Sequence, residues 1–286
     1  MPRFDFNFNK YPQLFIFFIT ISISSCNNSD DIDEIIPTGK TKEYTLLETN
    51  ISDLTGTIIF SENTNGSTTV LIQVNNTVKD IDLPVYLRRN TANTGGGIAI
   101  ILNNIIGENG NSNTVVSKLN NGETISYSEL LEFNGYIAIE DNVMTGSLLA
   151  YSDLGPNELT GNKKIYNLFA PNGAINGLIT LEERKKGTTS LTIGILQTNE
   201  NDEFPVTLNI LSESNTLENS KQLNPITGSL NGFSFNELTD INEEVITFDK
   251  FIQTNSFIEI KQSIDTENFV ASGGIGNHAE ASPVLD

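Results

Sequence analysis

The chain has one cysteine, one histidine and no tryptophan among its 286 residues. A single cysteine excludes a disulfide framework and any cysteine-built zinc site. The lone histidine, His278, leaves too few imidazoles for a His-rich metal centre or for a Ser-His-Asp hydrolase with an ordinary layout. Positive charge is also scarce: 16 Lys+Arg against 36 Asp+Glu give a formal net charge of -20. A general nucleic-acid binder needs a basic face to displace phosphate counterions, so that class is excluded. Charged residues amount to 18% and hydrophobic ones to 37%, leaving a polar remainder rich in Asn, Thr, Ser and Gly. This composition identifies no reaction and calls for no cofactor.

Residues 1–25 read as a targeting segment. Arg3 and Lys10 supply a basic start, and Leu14 to Ile23 an apolar run too short to span a bilayer, which needs about 20 residues. Ile23-Ser24-Ser25-Cys26 resembles a bacterial lipobox. That resemblance implies diacylglyceryl transfer to the Cys26 sulfur, cleavage before it and acylation of the new amine. Several acyl chains, at about 0.8 kcal/mol per buried CH₂, would anchor the chain to a membrane. Residues 26–43 read as an acidic flexible tether. Its Ser29-Asp30-Asp31 run is similar to the export segment of surface lipoproteins. The expected location is the outer membrane of a bacterial cell envelope, on the exposed surface.

The remainder reads as one unit written twice. An offset of 121 residues places Gly56 on Gly177, Gly66 on Gly187, Pro84 on Pro205, Gly107 on Gly228 and Gly155 on Gly276. Apolar positions keep step, as in Ile58 with Ile179 and Ile72 with Ile193. Within each copy the period is two: Val70, Ile72 and Val74 share one face of a strand that follows an Asn-Gly turn. Helical signals are short, near 128–132 and 249–252. Many short β-branched strands separated by turns predict an all-β chain of two tandem β-sandwich domains. The expected boundaries are 44–155 and 166–276, joined by a linker over 156–165 and followed by a tail over 277–286.

Gly95-Gly96-Gly97-Ile98-Ala99-Ile100, Leu119-Asn120-Asn121-Gly122-Glu123-Thr124, Gly135-Tyr136-Ile137-Ala138-Ile139 and Ala150-Tyr151-Ser152-Asp153-Leu154-Gly155 together resemble the chordin-type (CHRD) domain of bacterial lipoproteins. The pattern is specific over 44–155 and degenerate in the second copy. The resemblance implies an immunoglobulin- or superoxide-dismutase-like sandwich. It also implies histidines at a Pro-x-His-x-His segment and after the Gly-Tyr strand, where alternating imidazoles would suit a metal. Here Leu83, Tyr86, Arg88 and Glu140 occupy those positions, and the second copy has Phe204, Thr207, Asn209 and Lys261. The family's metal site is therefore not carried over, and no catalytic, cofactor-binding or metal-binding residue is expected.

Other signals read more simply. Asp240 to Glu244 is acidic but lacks the spacing and glycine of a calcium loop, so a solvated turn is expected. Gly95-Gly96-Gly97 precedes an alternating apolar run, which favours a strand entry over a phosphate cradle. Arg88 and Arg89 point to opposite faces of a strand, and Arg88, expected to point inward where the family has a histidine, is a candidate partner for Glu140. His278 is expected in a solvated tail, and Tyr86, Tyr127 and Tyr136 as core or rim aromatics. The expected role is a non-catalytic binding or interaction module, held to a membrane through lipidated Cys26 and offered to an envelope or extracellular protein or glycan. A degenerate carboxylate-based enzyme and a structural surface spacer are the alternatives.

Overall fold

The computed structural model describes residues 35–49, 52–142, 147–199, 202–227, 231–241, 244–265 and 268–279. The leader, Cys26, most of the tether, Gly228, Asn242, Glu243 and the tail from Glu280 lie outside the described residues.

Eight strands make the first sheet: β1 (Pro37–Glu48), β2 (Thr55–Asn63), β3 (Thr68–Asn75), β4 (Leu83–Arg89), β5 (Ile98–Ile105), β6 (Asn111–Val116), β7 (Gly135–Glu140) and β8 (Leu148–Asp153). One helix turn, α1 (Tyr127–Leu131), precedes β7. The strand order is β5-β4-β7-β8-β1-β2-β3-β6, antiparallel throughout. The second copy contributes β9 (Leu159–Phe169), β10 (Ile175–Arg184), β11 (Thr189–Leu196), β12 (Glu203–Phe204), β13 (Val206–Leu211), β14 (Leu217–Gln222), β15 (Ile226–Thr227) and β16 (Asn231–Leu238). After a two-strand flap, β17 (Asp240–Ile241) and β18 (Glu244–Val245), come α2 (Phe248–Phe251), β19 (Asn255–Lys261) and β20 (Phe269–Gly276). Leaving aside short β12 and β15 at one edge, its order β14-β13-β19-β20-β9-β10-β11-β16 repeats the first sheet strand for strand. The chain is all-β, two tandem curled sandwiches.

Alternation explains the cores. Val70, Ile72 and Val74 on β3 face inward against Ile58 and Phe60 on β2, and across to Val85, Leu87, Ile137 and Ile139. Leu191, Ile193 and Ile195 repeat this in the second core, with Leu208, Ile258 and Ile260 opposite. Full burial of such a side chain contributes roughly 1.5–3 kcal/mol. Each sheet curls until its two ends meet, and side chains close the gap. Ser112 donates to the Asn103 carbonyl at 2.6 Å, while the Asn103 amide donates to the Asn113 carbonyl at 2.6 Å. In the second copy Ser234 donates to the Asn224 carbonyl at 2.6 Å and the Asn224 amide to the Phe235 carbonyl at 2.7 Å. The same seam has been written twice.

Gly155 and Gly276 both take left-handed backbone, φ 56° and 61°, where each sheet's last strand turns over the preceding helix turn. A β-carbon there would lie within 3.0 Å of Glu132 and Phe133 backbone, or of Thr254 and Ile252 backbone, so glycine is required at both. The single offset of 121 needs correction. Tyr44 matches Tyr166 and Ser112 matches Ser234 at 122, because the connecting loops absorb one residue. The linker expected over 156–165 is also corrected: Gly155–Asn157 forms one 3-10 turn, and β9 begins at Leu159. Likewise the tether ends early, since 37–43 belongs to β1. Both segments look like linkers because their outer ends are exposed on both faces.

Candidate functional site

Strands β4 and β7 run side by side, with Val85 opposite Ile139, Tyr86 opposite Ala138 and Arg88 opposite Tyr136. Alternation divides the positions where the resemblance implies histidines. Leu83 joins Val85 and Leu87 in the core. Tyr86, Arg88 and Glu140 share the opposite face, so Arg88, expected to point inward, is on the outer one. The Asn90–Gly97 loop folds back there, and Gly95–Gly97 lead into β5 as a strand entry.

Arg88 and Glu140 are brought together. The Arg88 Nε donates to Glu140 Oε1 at 2.6 Å, and its Nη1 donates to the Gly96 carbonyl at 3.0 Å. Its guanidinium carbon lies 5.3 Å from the centre of the Tyr86 ring. A carboxylate, a carbonyl and an aromatic face thus hold one cation. Glu140 is buried, and Arg88 is its cationic partner. Burial raises the neighbouring Tyr136 phenol above its usual range, and Arg88 opposes the shift. This arrangement pairs the cation and the carboxylate of this face with each other.

A second charged cluster escapes sequence reasoning. Arg184, at the end of β10, is only 1% exposed. Its Nη1 lies 2.7 Å from Asp153 Oδ2 on β8, and its Nε lies 2.6 Å from Glu237 Oε2 on β16. Nη1 also donates to the Asn157 carbonyl at 2.6 Å. Lys186 approaches Glu237 at 3.2 Å, and the Ala92 backbone N–H donates to Asp153 at 2.9 Å. Burial raises the Asp153 carboxyl above the usual range, with Arg184 opposing it. One signal was present in the sequence: Asp153 and Arg184 are charged where the other copy has Gly274 and Asn63. The cluster joins the two sandwiches, with Arg184, Asp153 and Glu237 buried.

The remaining candidates lie apart. The Thr239 hydroxyl, with Lys221 at 3.0 Å, keeps the Asp240 carboxyl below the usual range. His278 is exposed in the turn after β20, its ring 5.8 Å from that of Phe257. Among the described residues, no group of three or more His, Cys, Asp or Glu side chains is placed to hold a metal ion. No helix among them is long and apolar enough to cross a membrane.

Fold and site together define a class: a tandem antiparallel β-sandwich protein whose charged clusters are internally neutralised. Compared with known proteins, the chain matches no family model and no curated sequence.

Proposed function

We propose that this chain is a lipid-anchored protein of the bacterial cell envelope, held at the outer membrane through Cys26 and displayed at the surface. Its two chordin-type sandwiches serve as a non-catalytic binding module. The Arg88–Glu140 pair carries the non-catalytic reading, because it occupies the place where the resemblance implies metal-binding histidines. The carboxylate-enzyme alternative is disfavoured by the placement of Asp153: its raised pKa arises in the junction between the sandwiches, where Arg184 already pairs with it. A structural spacer is the second reading, favoured by that same junction, which ties the sandwiches into one body.

Elemental analysis of the untagged full chain tests the proposal. The expected result is no stoichiometric copper or zinc, and the same melting temperature with and without a chelator. Stoichiometric metal that the chelator removes with a fall in melting temperature, and that Glu140→Gln no longer retains, would overturn it.

A further inference from the structure

The duplication places equivalent grooves on both sandwiches, and the one beside the junction is the smaller. In the first copy Tyr44, Thr45, Leu47, Ser152 and Asp153 line a cavity of about 260 Å³. Glu158 and Leu159, where the chain enters the second sandwich, also line it, and Asp153 is bonded to Arg184. The junction thus narrows that groove and lines it with charge. Its counterpart in the second copy is a cavity of about 450 Å³ over β9, β19 and β20. Such a volume falls within the roughly 300–1,000 Å³ of small-molecule sites.

Several substitutions between the copies line this second groove. Gly273 and Gly274 stand where the first copy has Ser152 and Asp153, so a carboxylate is replaced by backbone that lies against the His278 carbonyl. Phe169 replaces Leu47, and Phe257 replaces Tyr136. Both phenylalanines are half-buried at an open surface, where uncovered apolar area costs about 25 cal/mol per Å². The turn after β20 folds back on Gly274 and holds the His278 ring beside Phe257. Tyr166, its phenol raised by burial and hydrogen-bonded to the Gly276 backbone, adds a third aromatic ring. Asn167 and Ser272 supply an amide and a hydroxyl.

None of the lining residues is Asp, Glu, Lys or Arg. The groove therefore has no counter-charge for an ionic ligand, and a net charge of -20 repels anions. Flat aromatic faces beside uncharged hydrogen-bonding groups suit a ligand whose ring has C–H faces and a rim of hydroxyls. We propose that this groove binds an uncharged sugar ring, as the end or side of a neutral glycan. The inference rests on the binding-module reading and names its ligand class.

Calorimetric titration of the full chain in detergent with maltotriose, cellotriose and xylotriose tests it. At least one is expected to bind with a Kd of about 1 mM or tighter. Phe257→Ala and His278→Ala are each expected to weaken it tenfold or more. His278 is exposed in a turn, so its variant keeps the site testable if Phe257→Ala melts early. Three results overturn the proposal: no trisaccharide binding, binding unaffected by His278→Ala, or binding of an uncharged aromatic peptide amide in place of the sugars. Membrane anchoring and metal content are read separately, so failure here leaves the module reading intact.

Discussion

Replacing Arg184 with methionine removes a buried cation and leaves the buried Asp153 carboxylate without one, while Glu237 keeps only Lys186 at 3.2 Å. In the intact protein the cluster is neutral, with Arg184 and Lys186 against Asp153 and Glu237, and three of the four side chains are at most 3% exposed. Breaking a buried pair by deleting one partner costs about 3–5 kcal/mol, because the surviving charge is neither hydrated nor paired. Surface pairs are of a different order: Lys40–Glu62, with Lys40 70% exposed, belongs to a class contributing about 0–1 kcal/mol. For a body of this size, with about 2–4 °C per kcal/mol, Arg184→Met should lower the melting temperature by roughly 6–20 °C.

The pH dependence has a definite sign. Burial already raises the folded-state pKa of Asp153 above its unfolded value, and Arg184 restrains that rise. Between the two values the folded state binds more protons, so stability from this group is fullest at acid pH and declines as pH rises through the folded pKa. Without Arg184 the folded pKa climbs further. The deficit of Arg184→Met against the parent should therefore be largest at neutral pH and shrink on mild acidification. Adding Asp153→Asn and Glu237→Gln should restore much of the loss at neutral pH, since no unpaired carboxylate remains. Urea unfolding at neutral and mildly acid pH measures both effects. A variant that melts with the parent at neutral pH, or a deficit that grows on acidification, would refute the reasoning.

Ser112→Ala and Ser234→Ala, which remove matched bonds to the Asn103 and Asn224 carbonyls, should each cost about 1 kcal/mol, read from urea midpoints. Glu129 is held below the usual carboxylate range by the Ser126 backbone N–H and hydroxyl. Its contribution is present above the unfolded pKa and lost as pH falls through the folded one, and Glu129→Gln should delete that part of the acid dependence in a urea titration. Cys26→Ala should abolish acyl labelling and release the protein from membranes on fractionation; persistent membrane association without a bound partner would rule the anchor out.

Local chemistry made much of the fold legible. Alternation in Val70-Leu71-Ile72-Gln73-Val74 marks a strand wherever the chain goes next, and Gly66 and Gly187 mark hairpin turns, with φ 81° and 84°. The two helix turns are equally local, since Ser126 and Thr247 cap them from within three residues. The outer half of β9 was not legible: Thr160 to Lys164 is exposed on every side chain and has no apolar face to alternate. In the candidate site, the Arg88–Glu140 partnership could be anticipated because both residues stand where the chordin-type resemblance implies histidines. The Arg184 cluster could not, for its members lie 31 and 53 residues apart and depend on how one sandwich docks against the other.

Comparing the copies separates what the sheet needs from what the junction needs. The seam bonds at Ser112 and Ser234, and the left-handed glycines at Gly155 and Gly276, recur because each curled sheet must close and turn in the same way. Charge does not recur. The hairpin that docks carries Arg184, whereas its counterpart in the first copy carries Asn63, which spends its amide on Ser67 and Thr69 within its own turn. The groove that receives the hairpin carries Asp153, whereas its counterpart carries Gly274, covered by the carbonyl of His278. A buried arginine without its carboxylates, or the reverse, would cost several kcal/mol at either position. Asn63 and Gly274, both neutral, avoid that cost, so the charged bonds of the junction follow the docking of the two sandwiches and not the repeat itself.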